Sequence, residues 1–212
     1  KAPVRVLAAG APCQPFSHGG KGLANRDGRN LFPEVLRAVK ALRPEAVVIE
    51  NVAGLLRQDF RAYFDYILRQ LECPSIGPGP KKFAWRKHDD RLRQHRHAVG
   101  CQPEYIVQWR LLEAADYGVP QSRKRVFIVA TRADMPVYRF PRPTHSKSAL
   151  LKAQASRDYW DVRSLPQPKL KRTELELTEA DGEFPWVTVR DALAGLPEPA
   201  TKPQLAWANH WL

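Results

Sequence analysis

Cysteine is scarce in this chain: Cys13, Cys73 and Cys101 are the only three among 212 residues. An odd number without close spacing excludes a disulfide framework and points to a reducing cytoplasm, nucleoid-associated if the source is bacterial. No apolar run approaches the ~18 residues needed to span a bilayer, so no membrane association is expected. The opening Lys1-Ala-Pro-Val lacks both an initiator methionine and a signal-peptide core, and reads as a chain entered partway through. Negative charge is also short: 22 Asp and Glu face 34 Lys and Arg, a net +12. Such a surplus is costly in self-repulsion unless an anionic partner uses it, and nucleic acid is the commonest such partner. A merely basic protein is the plainer alternative. The hydrophobic share of 43% is enough for a packed core and excludes global disorder.

What is present has the rhythm of an α/β chain. Val4 to Ala9 is a short apolar strand, and Leu31 to Leu42 carries a helical stripe closed by Pro44. Ala46 to Ile49 is a second buried strand ending at Glu50-Asn51, and Phe60 to Leu71 is a second amphipathic helix. This succession predicts a Rossmann-like, doubly wound, mostly parallel sheet. Residues 74–103 break the pattern with a Pro/Gly cluster and a basic run, and read as an insertion or loop. Strands resume at Tyr105–Leu111 and Val126–Ala130. Past about residue 133 the chain is proline-rich, with short helices expected at Ser148–Ala155 and Val189–Leu196. The organisation expected is a catalytic segment over 1–133 and an irregular segment over 134–212.

Three features could carry chemistry. The stretch Gly10-Ala-Pro-Cys-Gln-Pro-Phe-Ser17 puts Cys13 where the first strand ends, the place where parallel sheets assemble sites. A lone cysteine is usually a small buried hydrophobe, but Pro12 and Pro15 stiffen this turn, and a thiol held that way suits nucleophilic catalysis. Glu50 ends the neighbouring strand, either as a solvated terminus or as a carboxyl group able to supply a proton beside the thiol. Gln121-Ser-Arg-Lys-Arg125 opens a later strand, and alternation predicts Arg123 and Arg125 on one face. Two guanidinium groups so placed can grip an anion; a basic surface cap is the alternative.

In order and approximate spacing these segments resemble the DNA (cytosine-5)-methyltransferases. Pro12-Cys-Gln-Pro-Phe-Ser17 is similar to their P-C-Q-x-F-S loop, and Asp27-Gly-Arg-Asn-Leu-Phe-Pro-Glu34 to the start of their next helix. Glu50-Asn-Val52 is similar to their E-N-V element, and Tyr117-Gly-Val-Pro-Gln-Ser-Arg-Lys-Arg-Val-Phe127 to G-x-P-Q-x-R-x-R-x-[FY]. A looser likeness lies at Thr188–Pro197. The resemblance implies that Cys13 attacks carbon 6 of a cytosine flipped from double-stranded DNA. It implies that Glu50, protonated, holds N3, that Arg125 contacts the base, and that Arg123 orders the catalytic loop. S-adenosylmethionine would be the methyl donor, with Pro12 and Leu31 lining its pocket. DNA contacts fall to Gln14, Ser17, Asn51 and Gln121.

The family's glycine-rich donor element, its target-recognition domain and its final motifs are not found in this sequence. The expectation is therefore a fragment of a longer enzyme, of restriction–modification or related epigenetic type, or a chain working with a second polypeptide that supplies those parts. A non-catalytic DNA-binding module is the rival reading. A cysteine hydrolase would need a histidine base, and His18 sits in a glycine-rich loop, a poor place for one. No metal is expected: Cys73, His88, His95, His97 and Cys101 lack standard zinc spacing.

Overall fold

The computed structural model describes residues 3–12, 30–77, 85–98, 100, 102–166 and 184–196. They fall into two units: one built from 1–113 with 124–141, the other from 114–123 with 142–212.

The first unit holds strand β1 (Val6–Gly10), helix α1 (Phe32–Leu42), β2 (Ala46–Val52), α2 (Arg61–Glu72), α3 (Trp85–His97), β3 (Tyr105–Glu113) and β4 (Lys124–Arg132). The strands form one sheet in the order β1-β2-β4-β3. The α/β class read from the sequence holds. The sheet is mixed, however: β1 and β2 pair in parallel, while β4 runs antiparallel to both β2 and β3. Three strands thus share a direction and β4 opposes them. The cause is the short link between β3 and β4, because a parallel neighbour requires a crossover of a dozen or more residues.

In β2 the alternation is regular. Val47, Ile49 and Asn51 are buried, while Ala46, Val48, Glu50 and Val52 are half-buried. Phe32, Leu36 and Val39 of α1, Phe64, Ile67 and Leu71 of α2, and Val126, Ile128 and Ala130 of β4 join Val47 and Ile49 in one core cluster. Both helices therefore lie over that face of the sheet. At ~1.5–3 kcal/mol per fully buried aliphatic or aromatic side chain, this cluster supplies the main drive for folding.

Asn51 is the polar member of the buried row, 2% exposed. Its Nδ2 donates to the carbonyl of Ala11 at 3.1 Å, and its Oδ1 accepts from the Val52 amide at 2.9 Å. A buried amide left unbonded costs more than the bond returns, so this residue ties the exit of β1 to the end of β2.

The region expected as a loop at 74–103 contains the thirteen-residue helix α3. Its inward stripe is Trp85, His88, Asp89 and Leu92, at helical spacing, but two of the four are polar, which hides the periodicity. Their burial is made possible by complete pairing. The Tyr66 hydroxyl donates to Nδ1 of His88 at 2.9 Å, and Nε2–H of His88 donates to the Ile76 carbonyl at 2.7 Å. Arg69 grips Asp89 through two bonds of 2.7 and 2.9 Å, and Arg93 adds a third at 2.9 Å. Trp85 packs against Tyr63 and Tyr66. Among the described residues no group of three or more His, Cys, Asp or Glu could hold a metal ion, and no helix is long and apolar enough to cross a membrane.

The second unit contains β5 (His145–Ser146), α4 (Lys147–Ala155), α5 (Asp158–Asp161), β6 (Phe184–Pro185) and α6 (Val189–Leu193). The helix expected at 148–155 is present, and the one expected at 189–196 ends at Leu193. Thr188 and Asp191 form a reciprocal capping box on α6. Arg163 joins α5 to α6, bonding Asp191 at 2.5 Å while lying 3.8 Å over the Tyr159 ring.

Two outcomes test these contacts. Replacing Asn51 by Ala leaves the Ala11 carbonyl without its buried donor, and should cost about 1–3 kcal/mol in urea unfolding. Burial lowers the pKa of His88 below its ordinary 6.5, against the opposing bond to Ile76. For Asp89, burial pushes upward but the Arg69 and Arg93 bonds prevail, holding it below 3.8. In both cases the unfolded state binds more protons, so stability falls as pH drops: from about 6.5 downward for His88, and again below about 3.8 for Asp89. Amide protection factors over residues 85–97 should fall on acidification below pH 6.5.

Candidate active site

The parallel pairing of β1 and β2 sets Gly10 opposite Glu50. Glu50 therefore stands beside the last residue of β1, three positions before Cys13. On the other side of β2, Val52 pairs with Arg125 and Glu50 with Phe127. Arg125 is thus the diagonal neighbour of Glu50 on the same face, the geometry in which long side chains meet across strands. Its Nε lies 2.8 Å from Oε1 of Glu50, and its Nη1 donates to the Lys124 carbonyl at 2.8 Å. The Glu50 side chain is 39% exposed and that of Arg125 is 23% exposed. The pair is therefore formed in place yet reachable, so an entering group could take over either partner.

Residues 13–29 lie outside the described residues, and with them Cys13, Gln14 and Ser17. The positions on either side are fixed. Ala11 is held by Asn51, and Pro12 follows half-buried. On the return side, Asn30 accepts from the Phe32 amide at 3.1 Å and donates to the Tyr63 hydroxyl at 2.7 Å. Burial pushes the Tyr63 phenol up to about 12, with the Asn30 bond pulling the other way. Leu31, 43% exposed, caps the start of α1, where Pro33 is suited to the first turn. Pro12 and Leu31 thus present apolar surface beyond the carboxyl end of β1 and at the start of α1.

Arg123 does not share a strand with Arg125, because β4 starts at Lys124. Arg123 belongs to the second unit; its side chain is exposed and its carbonyl accepts from the Ala114 amide at 3.0 Å. Gln121 is exposed in the same segment. Asn51, assigned a DNA contact on resemblance, has its amide turned inward onto the protein's own backbone.

Sequence reasoning passed over three residues, two in the first unit and one in the second. Asn30 and Tyr63 form the anchor described above; an Asn two residues before a helix that opens with Phe-Pro is a capping signal that could have found the first. The third is His145, whose ring fills the space beside Gly118. That glycine has φ +82°, and a Cβ there would meet Cε1 of His145 at 2.9 Å. The glycine of Tyr117-Gly-Val-Pro-Gln121 is therefore required on two counts. Trp186 Nε1 donates to Asp116 at 2.9 Å, a second tie on the same segment.

The chain was compared with known proteins. The chain is similar to the type II methyltransferase M.NgoMIV of Neisseria gonorrhoeae, 36% identical over 141 residues, which are 66% of this chain and 36% of that protein. It is also similar to the type II methyltransferase M.AquIA of Picosynechococcus, 30% identical over 201 residues, 94% of this chain and 63% of the relative. Among solved structures, the methyltransferase EhMeth of Entamoeba histolytica covers 64% of this chain and 34% of its own, with 15% identity and a TM-score of 0.35. The chain thus spans about a third to two thirds of the length of the curated relatives it matches. The model of the C-5 cytosine-specific DNA methylases matches residues 1–74 and 94–182, passing over 75–93, and the chain belongs to that family.

Proposed function

We propose that this chain carries the catalytic segment of a DNA (cytosine-5)-methyltransferase of restriction–modification type, acting on a cytosine flipped out of duplex DNA. The observation that carries the reading is the Glu50–Arg125 pair standing opposite Gly10, three residues from Cys13. A carboxyl group and a guanidinium on one rigid face, beside a strand exit that leads into a cysteine, suit a base that must be held while a thiolate adds to it.

In this reading the Cys13 thiolate forms a bond to carbon 6. The electron pair of the 5,6 double bond moves onto carbon 5 and the ring, and Glu50, which takes up a proton from solvent as Arg125 turns to the base, gives it to N3. Arg125 leaves the Glu50 carboxyl group for the base and neutralises charge there. After methylation a solvent base takes the carbon 5 proton and N3 returns its proton to Glu50, so that the 5,6 double bond re-forms as the sulfur–carbon bond breaks and the thiolate is returned. S-adenosylmethionine, when bound, supplies an electrophilic methyl group. The apolar surfaces of Pro12 and Leu31 fit one wall of its site. Arg123 orders the catalytic loop, and Gln14, Ser17 and Gln121 contact the DNA. Residues 1–133 form the catalytic segment, and 134–212 lead toward a target-recognition region supplied by the rest of such an enzyme or by a second polypeptide.

Duplex DNA containing 5-fluorocytosine tests the reading, because fluorine cannot leave carbon 5 as the proton does and the adduct persists. With S-adenosylmethionine and any adjacent gene product present, a covalent adduct should form and disappear in Cys13→Ser. DNA binding without an adduct, even with that product, would favour the non-catalytic module instead. Glu50→Gln should slow turnover by about 10²–10⁴-fold, the usual worth of a positioned proton donor, while DNA binding is largely retained. Unchanged turnover would remove Glu50 from the mechanism.

A further inference from the structure

We propose that the outer face of α3 is a second DNA-contacting surface, which binds the phosphate backbone of the duplex beside the reactive base. The inference rests on the reading of the chain as a DNA cytosine methyltransferase, and adds an element outside the shared pattern: residues 75–93, including most of α3, fall outside the family match.

The helix carries five Arg and Lys against two Asp, and its inward packing sorts them unevenly. Asp89 is turned into the protein, 6% exposed, where Arg69 and Arg93 hold it. Asp90 is then the sole carboxylate of the exposed face, against Arg86, Lys87, Arg91, Arg93 and Arg96, all exposed. Among the described residues the ion pairs that dock the helix use Arg69, Arg93 and Arg96, and not Arg86 or Lys87. Arg86 lies 4.8 Å over the Trp85 ring, which holds its guanidinium in position at reduced entropic cost.

Position argues for DNA over other anions. Trp85 packs edge-on against Tyr63, and the Tyr63 hydroxyl receives the bond from Asn30 at the start of α1. At its far end α3 reaches Glu72, the last residue of α2, through Arg96 at 3.5 Å. The helix therefore runs alongside α2 and starts at the end of the sheet where Glu50 and the exit of β1 lie. Arg86 and Lys87 are its cations nearest that end. A duplex presenting its cytosine there would bring backbone phosphates past them, and each phosphate neutralised releases counterions.

The test is fluorescence anisotropy of the full chain on a labelled duplex, with KCl varied from about 50 to 200 mM. Lys87→Gln should reduce the slope of log affinity against log salt by about one, and Arg86→Gln/Lys87→Gln by about two. Lys152→Gln, the same charge change on α4, should leave the slope as it was. Circular dichroism checks folding, and the single Lys87 variant leaves the Arg86–Trp85 stacking intact. A parental slope in both α3 variants, or an equal loss in the Lys152 control, would overturn the proposal. So would weakened binding to polyglutamate with DNA binding untouched, which would make the partner an acidic protein. Adduct formation on 5-fluorocytosine duplex, run in parallel at low salt, separates the two readings. A parental adduct yield with a lowered slope supports both. An absent adduct in the unaltered chain counts against the catalytic reading, while the slope still decides this one.

Discussion

The candidate site depends on a single buried amide. Asn51 occupies a core position on β2 but uses its side chain on the backbone of the neighbouring strand, at Ala11. An apolar residue there would pack as well and fix nothing. With Asn51 in place, the exit of β1 is set against the end of β2, and Glu50 meets Gly10 in register. The geometry of the Glu50 region follows from that bond and from the antiparallel β4 that carries Arg125 to the other side of β2.

The reversal of β4 is what unites residues far apart in sequence. Arg125 reaches Glu50 because β4 inserts between β2 and β3 and pairs with both. Had the strand joined the sheet in parallel through a long crossover, its residues would meet β2 in a different register. The exposure of both partners matters as well. A fully buried pair would be costly to separate, whereas this one can exchange its bond for another at modest expense.

Helix α3 shows how polar burial can stand in for apolar periodicity. Four inward positions at helical spacing carry two polar side chains, and each is satisfied: His88 by Tyr66 and Ile76, Asp89 by Arg69 and Arg93. The cost is sensitivity to protonation, because the pairing requires His88 neutral and Asp89 charged. The benefit is an outward face left with nearly all the positive charge.

The sequence alone determined the α/β class, the four main strands, the first two helices and the motifs that mark the family. These signals are local: apolar runs, proline stops, and short segments whose residue types are dictated by one task. It also located Glu50 and Arg125 as candidates, although not their contact. What tertiary structure decided was everything set by partners distant in the chain. The mixed sheet depends on which edges are open to pairing. The inward turn of Asn51 depends on a carbonyl forty residues away, and the helix at 85–97 depends on hydrogen-bond partners on α2. Such partners leave no periodic trace in a linear sequence, because a buried histidine or aspartate looks the same as an exposed one until its donors and acceptors are brought beside it.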